Sequence, residues 1–267
     1  GKTEDQKFYS DLFGKIKDVF IKEYVTPKGR VGTCSQTSYV LALKFNLLPD
    51  NLRQAAADFL VADIKGRGNH LSTGFLGTIY LNHVLSQAGY SDVAYDLLLQ
   101  ETYPSWIYPV KMGATTIWER WDGQKTDSTF QDIGMNSFNH YAYGAIGDWM
   151  YRVSSGIEAG KPGYKEILIQ PTPGRKLEYS KAKFESLYGT IESGWIRKNG
   201  KIIVTVKIPA NTEAIVLLPV DDPSKVSTPN LPAGFKEKTN ITVMAEGNKK
   251  RSGFMRGSGE YTFEYSE

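Results

Sequence analysis

The spacing of apolar residues divides the chain into two halves with different periods. In the first half apolar side chains recur every three to four residues, which predicts amphipathic helices. Short connections between most of these helices favour antiparallel helical hairpins. The predicted helices are Phe8–Val25, Ser38–Leu47, Asn51–Ile64, Ser72–Gln87, Asp92–Glu101 and Ser137–Ser154.

From about Lys165 apolar and polar residues alternate, the period of a half-buried β-strand. The dipeptide Asn199-Gly200 separates two alternating runs and predicts a tight hairpin. We therefore expect a helical domain over residues 1–158 and an antiparallel β-sandwich over residues 164–267. The predicted strands are Ile167–Gln170, Leu177–Phe184, Ser186–Arg197, Lys201–Ile208, Glu213–Pro219, Lys236–Val243 and Gly259–Tyr265.

Composition and charge exclude several function classes. The chain is 40% hydrophobic with a net charge of +3, and its longest basic block is Lys249–Arg251; this is too weak a charge to predict nucleic-acid binding. No apolar run reaches the roughly 18 residues expected of a membrane span. A single cysteine and three scattered histidines predict neither a disulfide nor a metal site, and no cofactor motif is present.

The long loop Thr102–Asn136 interrupts the helical half. Loops longer than about 15 residues in a compact domain are usually functional or disordered. This one carries three of the five tryptophans, Trp106, Trp118 and Trp121. That content argues against disorder, so we expect the loop to carry function.

Glu119 lies between two of these tryptophans in the stretch GATTIWERWDG, residues 113–123. A carboxylate against indole faces can act as an acid or base, and indole rings offer flat apolar faces for a sugar. The alternative is that Glu119 pairs with Arg120 or Lys111 at the surface while the tryptophans are core. The residues alone leave both interpretations open.

His140 follows the loop, 21 residues after Glu119, near the predicted start of the last helix. It either contacts a ligand in the same cavity as Glu119 or is a hydrogen-bonded core histidine. His70 precedes the fourth predicted helix. It either lines the same end of the domain as Glu119 and His140 or belongs to a capping segment, in which Ser72 or Thr73 caps the helix.

Four collinear stretches make the chain recognisable: HLSTGFLGT (70–78), AYDLLLQETYPSW (94–106), GATTIWERWDG (113–123) and MNSFNHYAYGAIGDWMYR (135–152). Together they resemble the bacterial α-L-rhamnosidases of glycoside hydrolase family 78. The resemblance covers roughly residues 30–220. It implies an (α/α)6 barrel followed by an all-β domain, and hydrolysis of terminal α-L-rhamnosides with inversion.

Residue by residue, the resemblance implies specific roles. Glu119 matches the family's general base, and His140 matches a histidine that contacts the bound rhamnose. Trp106, Trp118 and Trp121 become aromatic residues in or near the pocket. Rhamnose-containing glycans or glycosides are the implied substrates.

The chain also departs from the family. The family's general acid lies in an upstream motif of the type Asp-Glu-Arg-x-Gly-Trp-x-x-Asp, which this sequence does not contain. Six predicted helices are half of what the barrel needs. We therefore expect a C-terminal portion of such an enzyme that is catalytically incomplete and self-associates through exposed flanks. Localisation stays open between periplasmic or secreted and cytoplasmic.

Two other readings remain. One is a carbohydrate-binding or structural module without chemistry of its own, which the missing acid motif favours for this chain. The other is a different (α/α)6 enzyme, either another glycosidase or a polysaccharide lyase; a lyase would usually need a tyrosine or histidine base, and Tyr141 and Tyr143 lie beside His140 in the sequence.

Overall fold

The computed structural model describes residues 1–231, 241–245 and 249–267. The chain divides into two compact units, Gly1–Ala145 and Ile146–Glu267. Within the described ranges, no helix combines the length and the apolar character that crossing a membrane would require.

The first unit is helical. Five of the six predicted helices are confirmed, with ends that differ by a few residues, and a short sixth lies within the long loop. The α-helices are α1 (Thr3–Tyr24), α2 (Gln36–Lys44), α3 (Asp50–Gly66), α4 (Phe75–Gln87), α5 (Ser91–Leu98) and α6 (Ile107–Lys111).

The predicted helix Ser137–Ser154 is wrong in its first part. Residues 137–141 are not helical, and a 3-10 turn begins only at Ala142. The physical reason is local: the Ser137 carbonyl accepts from the Glu119 N–H at 2.9 Å and the Phe138 carbonyl accepts from the Thr116 hydroxyl, whereas a helix would need these carbonyls to accept from N–H groups four residues on. The remainder forms α7 (Ile146–Trp149), followed by a π-helical segment, Met150–Ser154.

Helices α2 to α5 share an apolar core. Helix α4 packs against α2 and α5, and α2 also packs against α3. Burying one aliphatic side chain contributes about 1.5–3 kcal/mol, so this core is the main stabilising element of the unit. The fully buried aliphatic residues of these helices include Val40, Leu60, Ile64, Leu81 and Leu85.

Gln36 fixes the segment that leads into α4. Its side chain is fully buried. Its amide donates to the Asp63 carboxylate (2.9 Å) and the His70 carbonyl (3.2 Å), and its Oε1 accepts from the Ser72 backbone (2.8 Å). A buried amide stabilises the fold only when its hydrogen bonds are made. These three bonds set where the chain enters α4.

Helix α1 buries none of its 22 residues. Its apolar stripe nevertheless follows the predicted helical period. The large apolar side chains of this helix that are at least 40% exposed are Phe8, Tyr9, Leu12, Phe13, Ile16, Val19 and Tyr24.

The second unit is a two-sheet sandwich, as the alternating pattern predicts. One sheet has the strand order β1-β2-β6-β8-β7 and the other β3-β4-β5-β9. Among the described strands, all pairs are antiparallel except β2 with β6. The strands are β1 (Ile157–Ala159), β2 (Glu166–Ile169), β3 (Tyr179–Ser186), β4 (Gly189–Lys198), β5 (Lys201–Ile208), β6 (Glu213–Leu218), β7 (Ile241–Ala245), β8 (Lys249–Arg256) and β9 (Gly259–Ser266).

The hairpin predicted at Asn199-Gly200 is confirmed. Lys198 pairs with Lys201 across the turn, and both turn residues have positive φ, 52° and 71°. Side chains of the two sheets meet in one core that includes the buried Trp195 and Phe263. The predicted strand Lys236–Val243 is described only from Ile241, where β7 begins; residues 236–240 lie outside the described part.

Candidate active site

The loop Thr102–Asn136 is ordered by contacts with its own residues. Besides α6 it contains a hairpin-like tip, in which Gln124 and Phe130 form a bridge. At this tip the Lys125 N–H donates to the Thr129 carbonyl at 2.8 Å. The tip therefore turns the chain back towards the segment that carries His140.

Two segments, Ile117–Glu119 and Ser137–His140, run past each other in opposite directions. The Glu119 N–H donates to the Ser137 carbonyl (2.9 Å), and the His140 N–H donates to the Ile117 carbonyl (2.8 Å). We call these two segments the clamp. The clamp places the segments that carry Glu119 and His140 side by side, although these two residues are 21 positions apart in the sequence.

Glu119 is held through one of its two carboxylate oxygens. Its Oε2 accepts a hydrogen bond from the Ser137 backbone N–H at 2.9 Å. No bond to Oε1 is made within the described parts of the chain, and the side chain is partly exposed. Lys111, one of the surface partners considered for Glu119, pairs with Glu101 instead. The carboxylate is therefore oriented, with one oxygen available to accept a proton.

His140 is held by its ring faces and by one nitrogen. Its ring stacks on Phe75, with 4.8 Å between centroids and 13° between planes. Its Nδ1 accepts from the Ala142 backbone N–H at 3.3 Å. Because Nδ1 is the acceptor, the neutral ring carries its proton on Nε2. Nε2–H is then the donor that this side chain can offer to a ligand.

The three loop tryptophans lie in a packed aromatic cluster. Trp121 stacks on Tyr143 at 3.8 Å and meets Trp106 edge to face at 5.3 Å. Trp118 packs edge to face on Phe138 at 5.0 Å. Each tryptophan is less than a tenth exposed, so the area it can offer to a sugar is small. Their first effect is to hold the loop that positions Glu119.

Tyr143 adds a polar group to this cluster. Burial raises its pKa to about 12, the nearby Tyr103 and Glu119 add to the rise, and the Arg120 guanidinium opposes it. The phenol is therefore protonated at neutral pH. Its backbone carbonyl accepts from Trp106 Nε1 at 2.9 Å, which ties the 3-10 turn to the loop.

Arg120 and Asp122 flank the same cluster. The carboxylate of Asp122 accepts from the Gln131 amide at 2.5 Å. Burial raises the pKa of Tyr103, and the charge of Asp122 raises it further while that of Arg120 lowers it. Charged groups thus lie close to both phenols, the buried Tyr143 and the half-exposed Tyr103.

The sequence reasoning missed Phe75, Tyr103 and Ser137. Ser137 acts through its backbone, which residue type does not reveal. Phe75 and Tyr103 are aromatic residues within the recognisable stretches. The number of aromatic residues in those stretches was the signal in the sequence that could have indicated them.

His70, the other histidine considered for this end, has a structural environment. Nδ1 lies 2.7 Å from the Arg67 carbonyl and Nε2 lies 2.8 Å from the Thr102 hydroxyl. Both nitrogens are used in joining the end of α3 to the start of the loop. The helix after it begins at Phe75 with Gly74 as the capping residue, so neither Ser72 nor Thr73 caps it.

The clamp combines a hydrogen-bond acceptor with a hydrogen-bond donor. In the described residues no three His, Cys, Asp or Glu side chains are grouped as a metal site. The clamp offers one open carboxylate oxygen and one imidazole N–H beside aromatic walls. Such a set can accept a proton from water and donate to a hydroxyl group.

Comparison with known proteins gives matches over both units. Residues 1–153 match the model of the bacterial alpha-L-rhamnosidase 6 hairpin glycosidase domain. Residues 156–231 match the bacterial alpha-L-rhamnosidase C-terminal domain.

Individual relatives agree with these matches. An alpha-L-rhamnosidase of Streptomyces avermitilis is 48% identical over 223 residues, 84% of this chain and 22% of that protein. One of Formosa agariphila is 39% identical over 266 residues, 99% of this chain and 28% of that protein. The chain therefore spans about a quarter of the length of these relatives.

Solved structures show the same fold. The Streptomyces avermitilis alpha-L-rhamnosidase complexed with L-rhamnose has a TM-score of 0.86 and 44% identity, covering 97% of this chain and 24% of that one. The Aspergillus terreus alpha-L-rhamnosidase has a TM-score of 0.84 and 33% identity, covering 99% and 28%.

Proposed function

We propose that this chain, which belongs to the bacterial alpha-L-rhamnosidase 6 hairpin glycosidase family, supplies the general base and part of the sugar pocket of an inverting α-L-rhamnosidase. The observation that carries the proposal is the clamp. It holds Glu119 through Oε2, leaves Oε1 open, and places the His140 segment alongside.

In the proposed reaction Glu119 Oε1 takes a proton from a water molecule. The oxygen of that water bonds to the anomeric carbon while the bond from that carbon to the leaving oxygen breaks. An acid outside this sequence protonates the leaving oxygen. Inversion needs about 6.5–9.5 Å between the two carboxyl groups, which leaves room for the water.

The other residues bind the sugar. Nε2–H of His140 donates to a rhamnose hydroxyl, with the ring held against Phe75. The exposed edges of Trp106, Trp118 and Trp121 form walls of the pocket. Tyr143, protonated at neutral pH, is a donor rather than a base. Because burial raises the pKa of Tyr143, this residue is disfavoured as the base of a polysaccharide lyase, and Tyr141 is the tyrosine that this alternative would use.

The isolated chain is proposed to be nearly inactive. General acid and general base each contribute about 10²–10⁴-fold to the rate, and the acid motif is absent from the sequence. Weak rhamnose binding is retained, because His140 and Glu119 are both present.

The binding test uses the 267-residue chain. Methyl α-L-rhamnoside is titrated into labelled protein and followed by NMR. Wild type and Glu119→Gln are expected to bind alike, because glutamine keeps an oxygen that can accept the Ser137 N–H. His140→Ala is expected to lose binding.

The catalytic test replaces the matching segment of the Streptomyces avermitilis relative with this chain, which is 48% identical to it. The chimera is expected to hydrolyse 4-nitrophenyl α-L-rhamnoside, and NMR should show the inverted anomer first. Glu119→Gln should lower kcat by about 10²–10⁴-fold. Glu101→Gln, which changes an exposed carboxylate just before this loop that pairs with Lys111, is the matched control.

Rescue of activity by azide distinguishes a catalytic-base role of Glu119 from a structural one. In a Glu119→Ala chimera, azide replaces water without needing proton removal, so turnover should return with formation of an inverted rhamnosyl azide. Normal turnover by the Glu119→Gln chimera would remove Glu119 from the base role. It would favour the alternative of a carbohydrate-binding or structural module, which the missing acid motif supports.

A further inference from the structure

Tyr141 is an aromatic side chain held in place at the edge of the proposed site. It is 88% exposed, yet its ring lies parallel to that of His140, with 5.4 Å between centroids and 8° between planes. A tyrosine that is this exposed and also stacked presents an open ring face of fixed orientation.

The backbone around Tyr141 is fixed on both sides. The preceding N–H, of His140, donates to the Ile117 carbonyl at 2.8 Å. The Tyr141 carbonyl accepts from the Gly144 N–H at 2.9 Å as the 3-10 turn begins. The ring therefore has little backbone freedom to lose when a ligand binds, which favours affinity.

The stacking continues into the protein. His140 lies on Phe75, and Phe75 contacts Tyr143 at 5.1 Å, which in turn stacks on Trp121. Tyr141 is the exposed end of this aromatic column. We use "aromatic column" below for Tyr141, His140, Phe75, Tyr143 and Trp121.

We propose that Tyr141 is the stacking platform for a ring carried by the leaving group of the rhamnoside, either the flat face of an aryl ring or the apolar face of a second sugar. The inference rests on the proposed function, in which His140 contacts the rhamnose. A terminal rhamnoside has one substituent to place beside its sugar, the group on the anomeric oxygen. A platform next to the sugar ligand His140, and not covered by described residues, therefore receives that group.

The test compares ligands that differ only in the leaving group. Dissociation constants of methyl α-L-rhamnoside, 4-nitrophenyl α-L-rhamnoside and a rhamnosyl-glucose disaccharide are measured by NMR titration of the 267-residue chain. Aromatic stacking contributes about 0.5–1.5 kcal/mol, so the ring-bearing ligands should bind about two- to tenfold more tightly than the methyl glycoside. Comparing the aryl and disaccharide arms identifies which ring the platform prefers.

The variants decide the role of Tyr141. Tyr141→Ala should abolish the preference and leave the methyl glycoside unchanged, and Tyr141→Phe should keep it. Tyr9→Ala, which removes an exposed tyrosine of α1, is the matched control.

A preference that survives Tyr141→Ala would overturn the platform. So would an equal loss for all three ligands, which would make Tyr141 part of the sugar pocket. If no rhamnoside bound the wild type, the proposed sugar pocket itself would fail, an outcome distinct from the other two.

Discussion

Phe75 and His140 lie with their rings nearly parallel, 4.8 Å between centroids, although 65 positions separate them in the sequence. Phe75 is the first residue of α4, and His140 ends the second segment of the clamp. The first turn of a core helix thus supports the ring of the proposed sugar ligand. Preorganisation of this kind decides how much binding energy a weak polar contact delivers.

We predict that Phe75→Leu weakens binding of methyl α-L-rhamnoside about two- to tenfold, because the stack with His140 is lost while an apolar side chain remains. NMR titration of the 267-residue chain measures the effect. Phe45→Leu is the matched control, since Phe45 makes its ring contact with Tyr80 instead. Unchanged affinity in Phe75→Leu would mean that His140 is positioned by its backbone alone.

Gly123 lies in the loop that carries Glu119, four residues after it, at a closely packed position. A Cβ at this position would lie 2.9 Å from Asn136 Oδ1 and 3.2 Å from the Trp118 ring. Over-packing of this kind costs about 1–3 kcal/mol. Gly123→Ala is therefore expected to lower the free energy of unfolding by that amount, measured by urea denaturation.

The control for Gly123→Ala is Gly66→Ala at the end of α3. A Cβ there meets nothing within 4 Å, and alanine favours a helix over glycine by up to about 1 kcal/mol. This variant should be as stable as wild type or more stable. Equal stability of the two variants would show that the loop moves to accept the methyl group.

The raised pKa of Tyr143 predicts a loss of stability at alkaline pH. Its folded pKa is about 12, above the roughly 10 of an unfolded tyrosine. The phenol ionises at a lower pH in the unfolded chain than in the folded one. The contribution of Tyr143 to the free energy of unfolding is therefore fully present below pH 10 and is lost as the pH rises from 10 through 12. At pH 11 the loss is about 1.4 kcal/mol relative to pH 8.

Comparison with a variant isolates this contribution from the other titrating groups. Tyr143→Phe keeps the ring stacked on Trp121 and removes the ionisation. Denaturant unfolding at pH 8 and pH 11 should therefore show a smaller alkaline loss for the variant, by about 1.4 kcal/mol. An equal loss in both proteins would place the Tyr143 hydroxyl in contact with solvent.

Much of the fold followed from periodicity, and the misses have physical causes. Strand β8 was missed because Lys249–Arg251 looks like a solvated basic block. Arg251 is in fact 6% exposed, and its guanidinium donates to the Pro171 and Leu217 carbonyls at 3.0 and 3.2 Å. Because a buried arginine that donates to carbonyls of other segments is still a polar residue in the sequence, this strand lacks the alternation of apolar and polar residues by which strands are predicted.

For the site, residue types and a family resemblance indicated Glu119 and His140, and the clamp places their segments side by side. What sequence could not give is the support beneath them. The Ser137 N–H that holds Glu119 is a backbone group, and Phe75 is distant in sequence. The tryptophans were weighed as sugar platforms or core, and their burial shows how little of each ring is accessible.

The exposed face of α1 predicts self-association of the chain. Its stripe includes Phe8, Tyr9, Ile16 and Val19, each more than half exposed, and contiguous apolar surface of this kind usually marks an interaction site. We predict that a second copy of this chain covers the exposed apolar face of α1. The first half of the helix has a net charge of −2, from three acidic residues and one lysine, and the second half has +1, from three lysines and two acidic residues; two antiparallel copies therefore place opposite net charges near each other.

The test of this prediction is the molar mass in solution. Light scattering coupled to size exclusion should show wild type shifting from monomer to dimer as its concentration rises. The double variant Ile16→Lys, Val19→Lys should remain monomeric, because burying unpaired charges opposes association. Lys65→Gln, at an exposed position of α3 outside this surface, is the control and should still dimerise. A wild type that stays monomeric at millimolar concentration would exclude α1 as a self-association surface, and larger assemblies insensitive to the double variant would place the interface elsewhere on the chain.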